Sequence, residues 1–459
     1  MLVDTVIKNC KIVLHDGILS AGIAIEKGRV VAIAKDASLP RGDNTIDCKE
    51  NFVLPGLLDP HVHFGAWFPF KEDCKTETEA AALGGITTVM HHLINRDSYF
   101  QIFEKYRKMA DENSIIDICF HFAIMSNEHL KEIEDYVRLG TTSFKFFMAY
   151  RGEEGEQIGI SAADDGLLFE GFQRIGQLGP PSIPMVHAEN VEIAYRLKAK
   201  LMTQGRKDLA AWSEARPNFC EDENIIRAAY LAKTAKSPLY IVHVSSGESV
   251  ESVYKLKPSM ALYAEATPHH LTLTKGSDLG TLGKVGPPLR DSRSVAKLWW
   301  GIENGTIDCI GSDHVPVTKE KKSGDIWAAP PGLPSIGLIL PIMITEGVRK
   351  NRISLEKVVR LCSYNTAKIF GLFPKKGNLK VGSDADLLIV DLKKTVKFKP
   401  DILPSVADFS PYEGMDLVGW PQLTMVRGNI IVKDGQVIGH PGIGDYIARQ
   451  KTRRGTGLR

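Results

Sequence analysis

"NFVLPGLLDPHVHFGAWF", residues 51–68, decides how the chain is read. An apolar run breaks at Pro55-Gly56, resumes as Leu57-Leu58-Asp59-Pro60, and then sets His61 and His63 one residue apart. Side chains at i and i+2 of a strand share a face, so both imidazoles point one way at the end of what reads as a buried strand. Seven more strand-like runs follow: 87–93, 117–124, 142–150, 183–189, 239–246, 261–270 and 308–316. Helical patterns such as "TETEAAALGG", "NEHLKEIEDYVRLG" and "ENIIRAAYLAKTAK" lie between most of them. Eight strands alternating with helices predict an α/β fold, a (β/α)8 TIM-like barrel over residues 55–376. An open doubly wound sheet is the alternative, but no GxGxxG follows the first strand and no Walker sequence occurs.

The two ends have another style. Residues 1–54 and 377–440 carry short alternating runs, such as "DTVIKNCKIVL" and "TMVRGNIIVKDGQVIG", separated by turns such as Asp16-Gly17. They predict one small β-sandwich domain formed by both termini, with 441–459 left as a C-terminal tail. The cationic end "RQKTRRGTGLR" reads as solvated or as a subunit contact.

Composition narrows the function. A formal charge of +2 makes no case for a nucleic-acid or membrane partner, and no apolar run is long enough to cross a bilayer. The seven cysteines form no CxxC pair, which predicts reduced thiols in a cytoplasmic protein.

In a barrel the C-terminal strand ends converge on one face. That brings together His61 and His63 of strand one, Lys145 of "SFKFFMAY", His187 of "HAEN", His243 of "HVSS" and Asp313 of "GSDH". Four histidines and an aspartate gathered there form a metal-ligand pattern, with Asp59, Glu189, Ser245 and Ser246 as candidates to orient the imidazoles. His91, His92, His121, His129, His269 and His270 read as hydrogen-bonded core. Lys145 is flanked by Phe144, Phe146, Phe147 and Met148, which argues against full exposure. A lysine with its pKa lowered in such a site is nucleophilic, and addition of carbon dioxide makes it an anionic carbamate able to bridge two metals.

These motifs, with "PGLLDPHVH", "GGITTV" and the ending "VGSDADLLIVD", resemble the cyclic amidohydrolases over nearly the whole chain, and most of all their hydantoinase/dihydropyrimidinase branch. The resemblance implies a two-metal centre, usually zinc. His61, His63 and Asp313 would hold the more buried ion, His187 and His243 the second, and a carbon-dioxide-derived carbamate on Lys145 would bridge them. It implies a hydrolase that opens a small cyclic amide or imide by attack of a metal-bridging hydroxide, giving an N-carbamoyl amino acid or a comparable product. Asp313 would shuttle the proton and Tyr150 would donate to the oxyanion. It also implies a homo-oligomer, a dimer or tetramer.

Three positions bear on the substrate. Dihydroorotases carry an arginine two residues after HxH to hold a carboxylate, and here that position is Gly65. The same loop offers Trp67, Phe68 and Phe70, as an apolar wall for a ring substituent or as packing against a neighbouring loop. Dihydropyrimidinases have a serine before "PPLR" and an Asn-Gly after strand eight, where this chain has Gly286 and Pro331-Gly332. Those positions hold the ring's amide edge in the family, so an allantoinase- or dihydroorotase-like ring specificity stays open. A non-catalytic scaffold homologue ranks last, because all six ligand positions are intact.

Overall fold

The computed structural model describes residues 2–449, so most of the cationic end lies outside the described residues. Eight strands form the barrel: β1 (Leu57–Val62), β2 (Ile86–Leu93), β3 (Asp117–Ala123), β4 (Ser143–Phe147), β5 (Ile183–His187), β6 (Leu239–Ile241), β7 (Leu262–Ala266) and β8 (Cys309–Ile310). They pair in chain order and all in parallel. A parallel bridge between Val62 and His314 closes the ring, supported by the His63 N–H donating to the His314 carbonyl at 2.8 Å. Strands β1 to β5 are buried along their whole length, as a parallel sheet covered on both faces must be.

Register decides which side chains enter the barrel. Lys145 pairs with Ala123 on one side and with Met185 on the other, and Met185 pairs with Tyr240. Paired residues face the same side, so these four share one interior layer. His187 pairs with Phe147 one layer nearer the C-terminal mouth. Met90, Cys119, Met185, Tyr240 and Cys309 belong to one buried apolar cluster with Phe370 and Leu372.

The last three strands are shorter than their sequence patterns suggest. Extended backbone ends at Ile241 and Ile310, and His243 (φ 38°) and Asp313 (φ 49°) lie just beyond in the left-handed region. After β7, Pro268 sits at the first turn of a helix over Pro268–Thr272, which the apolar pattern of 261–270 hides.

Both ends of the chain meet in one nine-stranded mixed sheet. The strand Leu2–Leu14 pairs along one edge with Gly17–Glu26. Its register shifts between Ile7 and Cys10, so its other edge pairs first with Arg41–Asp47 and then with Phe52–Pro55. Phe52–Pro55 in turn pairs antiparallel with Leu387–Val390, which stitches the N-terminal strands to the C-terminal ones. Ile7, Ile12, Ile23, Val53, Leu387 and Met425 fill the core of this sheet.

A buried charge cluster links the sheet to the lower end of the barrel. The Lys376 ammonium lies 2.5 Å from Asp117 of β3, 3.1 Å from Asp384 and 2.6 Å from Asp386, and Arg427 also pairs with Asp117. The three carboxylates are grouped closely enough to hold a metal ion. They already enclose a cation, so their role is structural.

The chain then returns to the barrel floor. Ile118 donates to the Asp445 carbonyl at 2.9 Å and accepts from Ile447 at 2.8 Å. Arg449, read in the sequence as part of a solvated or subunit-contacting end, is buried within the chain and donates to Ser143 Oγ at 2.7 Å and to the Phe120 carbonyl. A local charge pattern carries no sign of this docking, which depends on carbonyls of β3 and a hydroxyl of β4. Among the described residues no helix is long and apolar enough to cross a membrane.

Candidate metal centre and active site

Three candidate ligands converge at the barrel mouth. His61 Nε2 lies 3.2 Å from His63 Nε2 and 3.2 Å from Asp313 Oδ1, and His63 Nε2 lies 3.3 Å from the same oxygen. Two atoms each about 2.1 Å from a tetrahedral zinc ion stand about 3.4 Å apart, so this triangle has the dimensions of one face of a coordination shell. The donor chemistry also fits. Burial, with the Lys145 charge second, holds the pKa of His61 well below that of a free imidazole, leaving it neutral with a lone pair to give.

One carboxylate organises this triangle, and the sequence reading missed it. Glu265 of β7 is fully buried, and its Oε1 accepts from His61 Nδ1 at 2.7 Å, which leaves the Nε2 lone pair available to a metal. It also accepts from the His243 N–H at 3.1 Å and from the Tyr240 hydroxyl at 2.9 Å. Burial pushes its carboxyl up to about 8. Gly311 makes room for it, since a Cβ there would come within 2.7 Å of the carboxyl carbon. The available signal was an isolated glutamate between alanines in an otherwise apolar strand. Glu265→Gln is expected to weaken metal affinity by about 10–100-fold with the fold retained, measured by competition against a chelator. Unchanged affinity would remove Glu265 from the site.

Of the four residues expected to orient the imidazoles, one, Glu189, reaches a ring nitrogen, while Asp59 holds backbone instead. Asp59 accepts from the His61 N–H at 3.1 Å and the Ser312 N–H at 2.9 Å, tying β1 to the segment that carries Asp313. Glu189 accepts from His187 Nε2 at 2.8 Å, so His187 offers Nδ1. Ser245 and Ser246 are engaged elsewhere: Ser245 with Glu221 and Arg290, Ser246 as the cap of the helix Gly247–Leu256.

His187 and His243 form a second group, their ring centroids 4.5 Å apart and that of His243 5.3 Å from His61. Burial lowers the pKa of both, most strongly for His243. Lys145 rises in the same interior, fully buried, and its Nζ has no hydrogen-bond partner. Burial brings its pKa down to about 7, against the opposing pull of Glu265 and Asp313. Of the histidines read as hydrogen-bonded core, His92 and His269 depart from that reading, since neither ring nitrogen of either has a partner. His92 also lines the active-site cavity.

Above this centre opens a cavity of about 580 Å³, lined by His63, Lys145, His187, His243 and Asp313 and also by Tyr150, Gly286, Pro331 and Gly332. The family profile described as Amidohydrolase family matches residues 267–431. An L-hydantoinase of Paenarthrobacter aurescens is 36% identical over 463 residues, covering 97% of this chain and 98% of that protein. The chain belongs to the amidohydrolase family, in its hydantoinase-like branch. The solved structure of an L-hydantoinase (dihydropyrimidinase) from Arthrobacter aurescens matches with a TM-score of 0.91 at 36% identity, covering 97% of this chain and all of the other. A dihydroorotase of Methanosarcina acetivorans is 34% identical over 458 residues, 97% of this chain and 95% of that protein.

In this amidohydrolase Tyr150 takes left-handed backbone (φ 66°) just past β4, and its ring centroid lies 5.1 Å from that of His187. Burial raises its pKa well above the usual phenol value, so the hydroxyl keeps its proton. A Cβ at Gly286 would lie 2.6 Å from that hydroxyl, so a side chain at 286 would require the phenol in this position to shift. Gly286→Ser is therefore expected to displace Tyr150 and lower kcat about tenfold or more, a fraction of what losing an oxyanion donor costs, with metal content unchanged. Unaltered turnover would show that the phenol tolerates the side chain. Trp67 lines the cavity, whereas Phe70 begins a helix and packs on His91 and Tyr106, so the first loop divides between the two roles open to it.

Proposed function

We propose that the chain is a binuclear metal-dependent hydrolase that opens a cyclic amide or imide ring of the hydantoin or dihydropyrimidine type. The observation that carries this reading is the 3.2–3.3 Å triangle of His61, His63 and Asp313 standing beside an unpartnered, buried Lys145. His61, His63 and Asp313 would hold one ion, His187 and His243 a second, and a carbamate on Lys145 would join them. Zinc suits these ligands. Two divalent ions bound there supply a nucleophilic hydroxide at neutral pH and polarise the carbonyl under attack.

The chain's own groups do the rest. Asp313 takes the proton of the attacking oxygen and returns it to the ring nitrogen, which leaves readily only once protonated. Tyr150 donates its O–H to the carbonyl oxygen as negative charge develops there. Gly286, Pro331 and Gly332 offer backbone groups to the amide edge of the ring, and Pro331 supplies no side-chain amide. A cavity of about 580 Å³ is of the size that encloses small ligands.

A second reading, a dihydroorotase-like or allantoinase-like specificity, draws support from the dihydroorotase relatives. Against it, Gly65 lines the cavity with no side chain to hold a substrate carboxylate. Two features support a cytoplasmic homo-oligomer. All seven cysteines are free and buried, and exposed Phe219, Ile226 and Tyr230 share one face of the helix Asn218–Thr234.

The test is ring opening by the zinc-loaded enzyme against hydantoin, dihydrouracil, dihydroorotate and allantoin. Turnover of hydantoin or dihydrouracil is expected. Exclusive turnover of dihydroorotate or allantoin would move the assignment to the second reading, and no ring opening at all would contradict both.

A further inference from the structure

Two lysines beside the cavity are buried without an acidic partner. Lys284 and Lys322 are 2% and 0% exposed, and among the described residues neither makes an ion pair. Each is surrounded instead by backbone carbonyls, all but one of them in the loop after β8. Lys322 Nζ donates to the Lys284 carbonyl at 2.6 Å, the Gly332 carbonyl at 2.8 Å and the Pro330 carbonyl at 3.2 Å. Lys284 Nζ donates to the Trp327 carbonyl at 3.2 Å and to the Ala329 carbonyl, and lies 4.2 Å from the centroid of the Trp212 ring.

Three carbonyls take up all three N–H bonds of an ammonium, whereas a neutral amine would leave one of them unserved. Burial and the neighbouring Lys284 press the other way, lowering the Lys322 pKa. In either state the nitrogen is, among the described residues, the only hydrogen-bond donor shared by these three carbonyls. Their dipoles converge on one point, and without a donor at the centre they would separate to find other partners.

The place of this knot matters more than its strength. The Lys284 carbonyl immediately precedes Val285 and Gly286, and the Pro330 and Gly332 carbonyls flank and include Pro331-Gly332. All four of these cavity residues line the space above the metal ligands. The Gly332 N–H also donates to the Lys284 carbonyl at 3.1 Å, so the two segments are joined at one seam.

We propose that Lys322 is a positioning residue for substrate: by binding the carbonyls of 284, 330 and 332 together it sets the spacing between the two backbone segments that receive the ring's amide edge, and so helps select the ring. This rests on the assignment of those segments to substrate binding made above. Lys322 touches neither the ring nor the metals, and its effect passes entirely through the backbone it holds.

The experiment compares Lys322→Met and Lys322→Gln with the wild type as zinc-loaded enzymes. The readouts are kcat and KM for hydantoin and for dihydrouracil, metal content, and a crystal structure of Lys322→Met. A loop misplaced by a fraction of an ångström should raise KM about tenfold while kcat changes less than about threefold, and shift the hydantoin-to-dihydrouracil preference about fivefold or more, with metal content unchanged. Lys322→Gln, keeping two donors on a shorter arm, should fall between. In the Lys322→Met structure the carbonyls of 284 and 332 should move apart by about 0.5 Å or more, the scale on which site geometry matters.

A lower melting temperature with unchanged KM, preference and carbonyl spacing would make Lys322 a purely structural residue and overturn the proposal. Failure of both variants to fold would do the same. If the wild type opens neither ring, the function falls, and the carbonyl spacing still decides for or against Lys322.

Discussion

Lys145→Ala should fold, bind neither metal ion in stoichiometric amount, and lose ring-opening activity. Folding is expected to survive because Lys145 Nζ has no hydrogen-bond partner that the change would orphan, and the pull of Glu265 and Asp313 offsets only part of the ammonium's desolvation. Metal loss follows from the geometry. His187 and His243 supply only two nitrogens, and among the described residues only the His61, His63 and Asp313 set gathers three ligands of the imidazole or carboxylate type at the mouth. Without an anionic bridge the second ion has too few ligands and the first loses its neighbour. Short carboxylic acids such as acetate or propionate should restore part of both, since their two oxygens can occupy the vacated space.

The same residue predicts a pH dependence. Only the neutral amine has the lone pair that adds carbon dioxide, and burial brings the Lys145 pKa down to about 7. Reconstitution of metal-free protein with zinc and bicarbonate should therefore proceed at pH 8 and stall below pH 6, as the ammonium form takes over. Full activity of Lys145→Ala without added acid would refute the bridge.

Tyr150→Phe should lower kcat by about 10²–10³ with metal content intact, as removal of a single oxyanion donor does elsewhere. The phenol is buried and held in its protonated form by burial first and by the nearby Glu189 and Glu154 charges second. Its left-handed backbone is a strained conformation for a bulky residue, retained where side-chain direction matters. Since the change removes one hydroxyl and keeps the ring, a loss confined to KM would assign Tyr150 to substrate binding alone. Unchanged turnover would reduce it to packing.

The approach of His61, His63, Lys145, His187, His243 and Asp313 to one end of the barrel was legible because parallel strands fix which end of each apolar run meets the mouth. What the pattern could not reveal was the backbone turn that aims them. His243 and Asp313 read as strand residues, yet both stand just past the ends of β6 and β8 in left-handed backbone. Glu265 was missed because its importance lies in a contact to His61, 204 residues away in the chain. Lys284 and Lys322 look like ordinary surface lysines by composition, and only the closure of the loop after β8 buries them. Arg449 shows the same limit at the barrel floor, where partners come from β3 and β4. Periodicity reports which face of an element is apolar, and carries nothing about which polar group a distant loop will bring to it.

Anomalous diffraction at the zinc edge, from crystals of the enzyme grown with zinc and bicarbonate, tests the central claim most directly. The account predicts two peaks, one bounded by His61, His63 and Asp313 and the other by His187 and His243, with density for a carboxyl group extending from Lys145 Nζ between them. A bare Lys145 ammonium with one peak or none would contradict it.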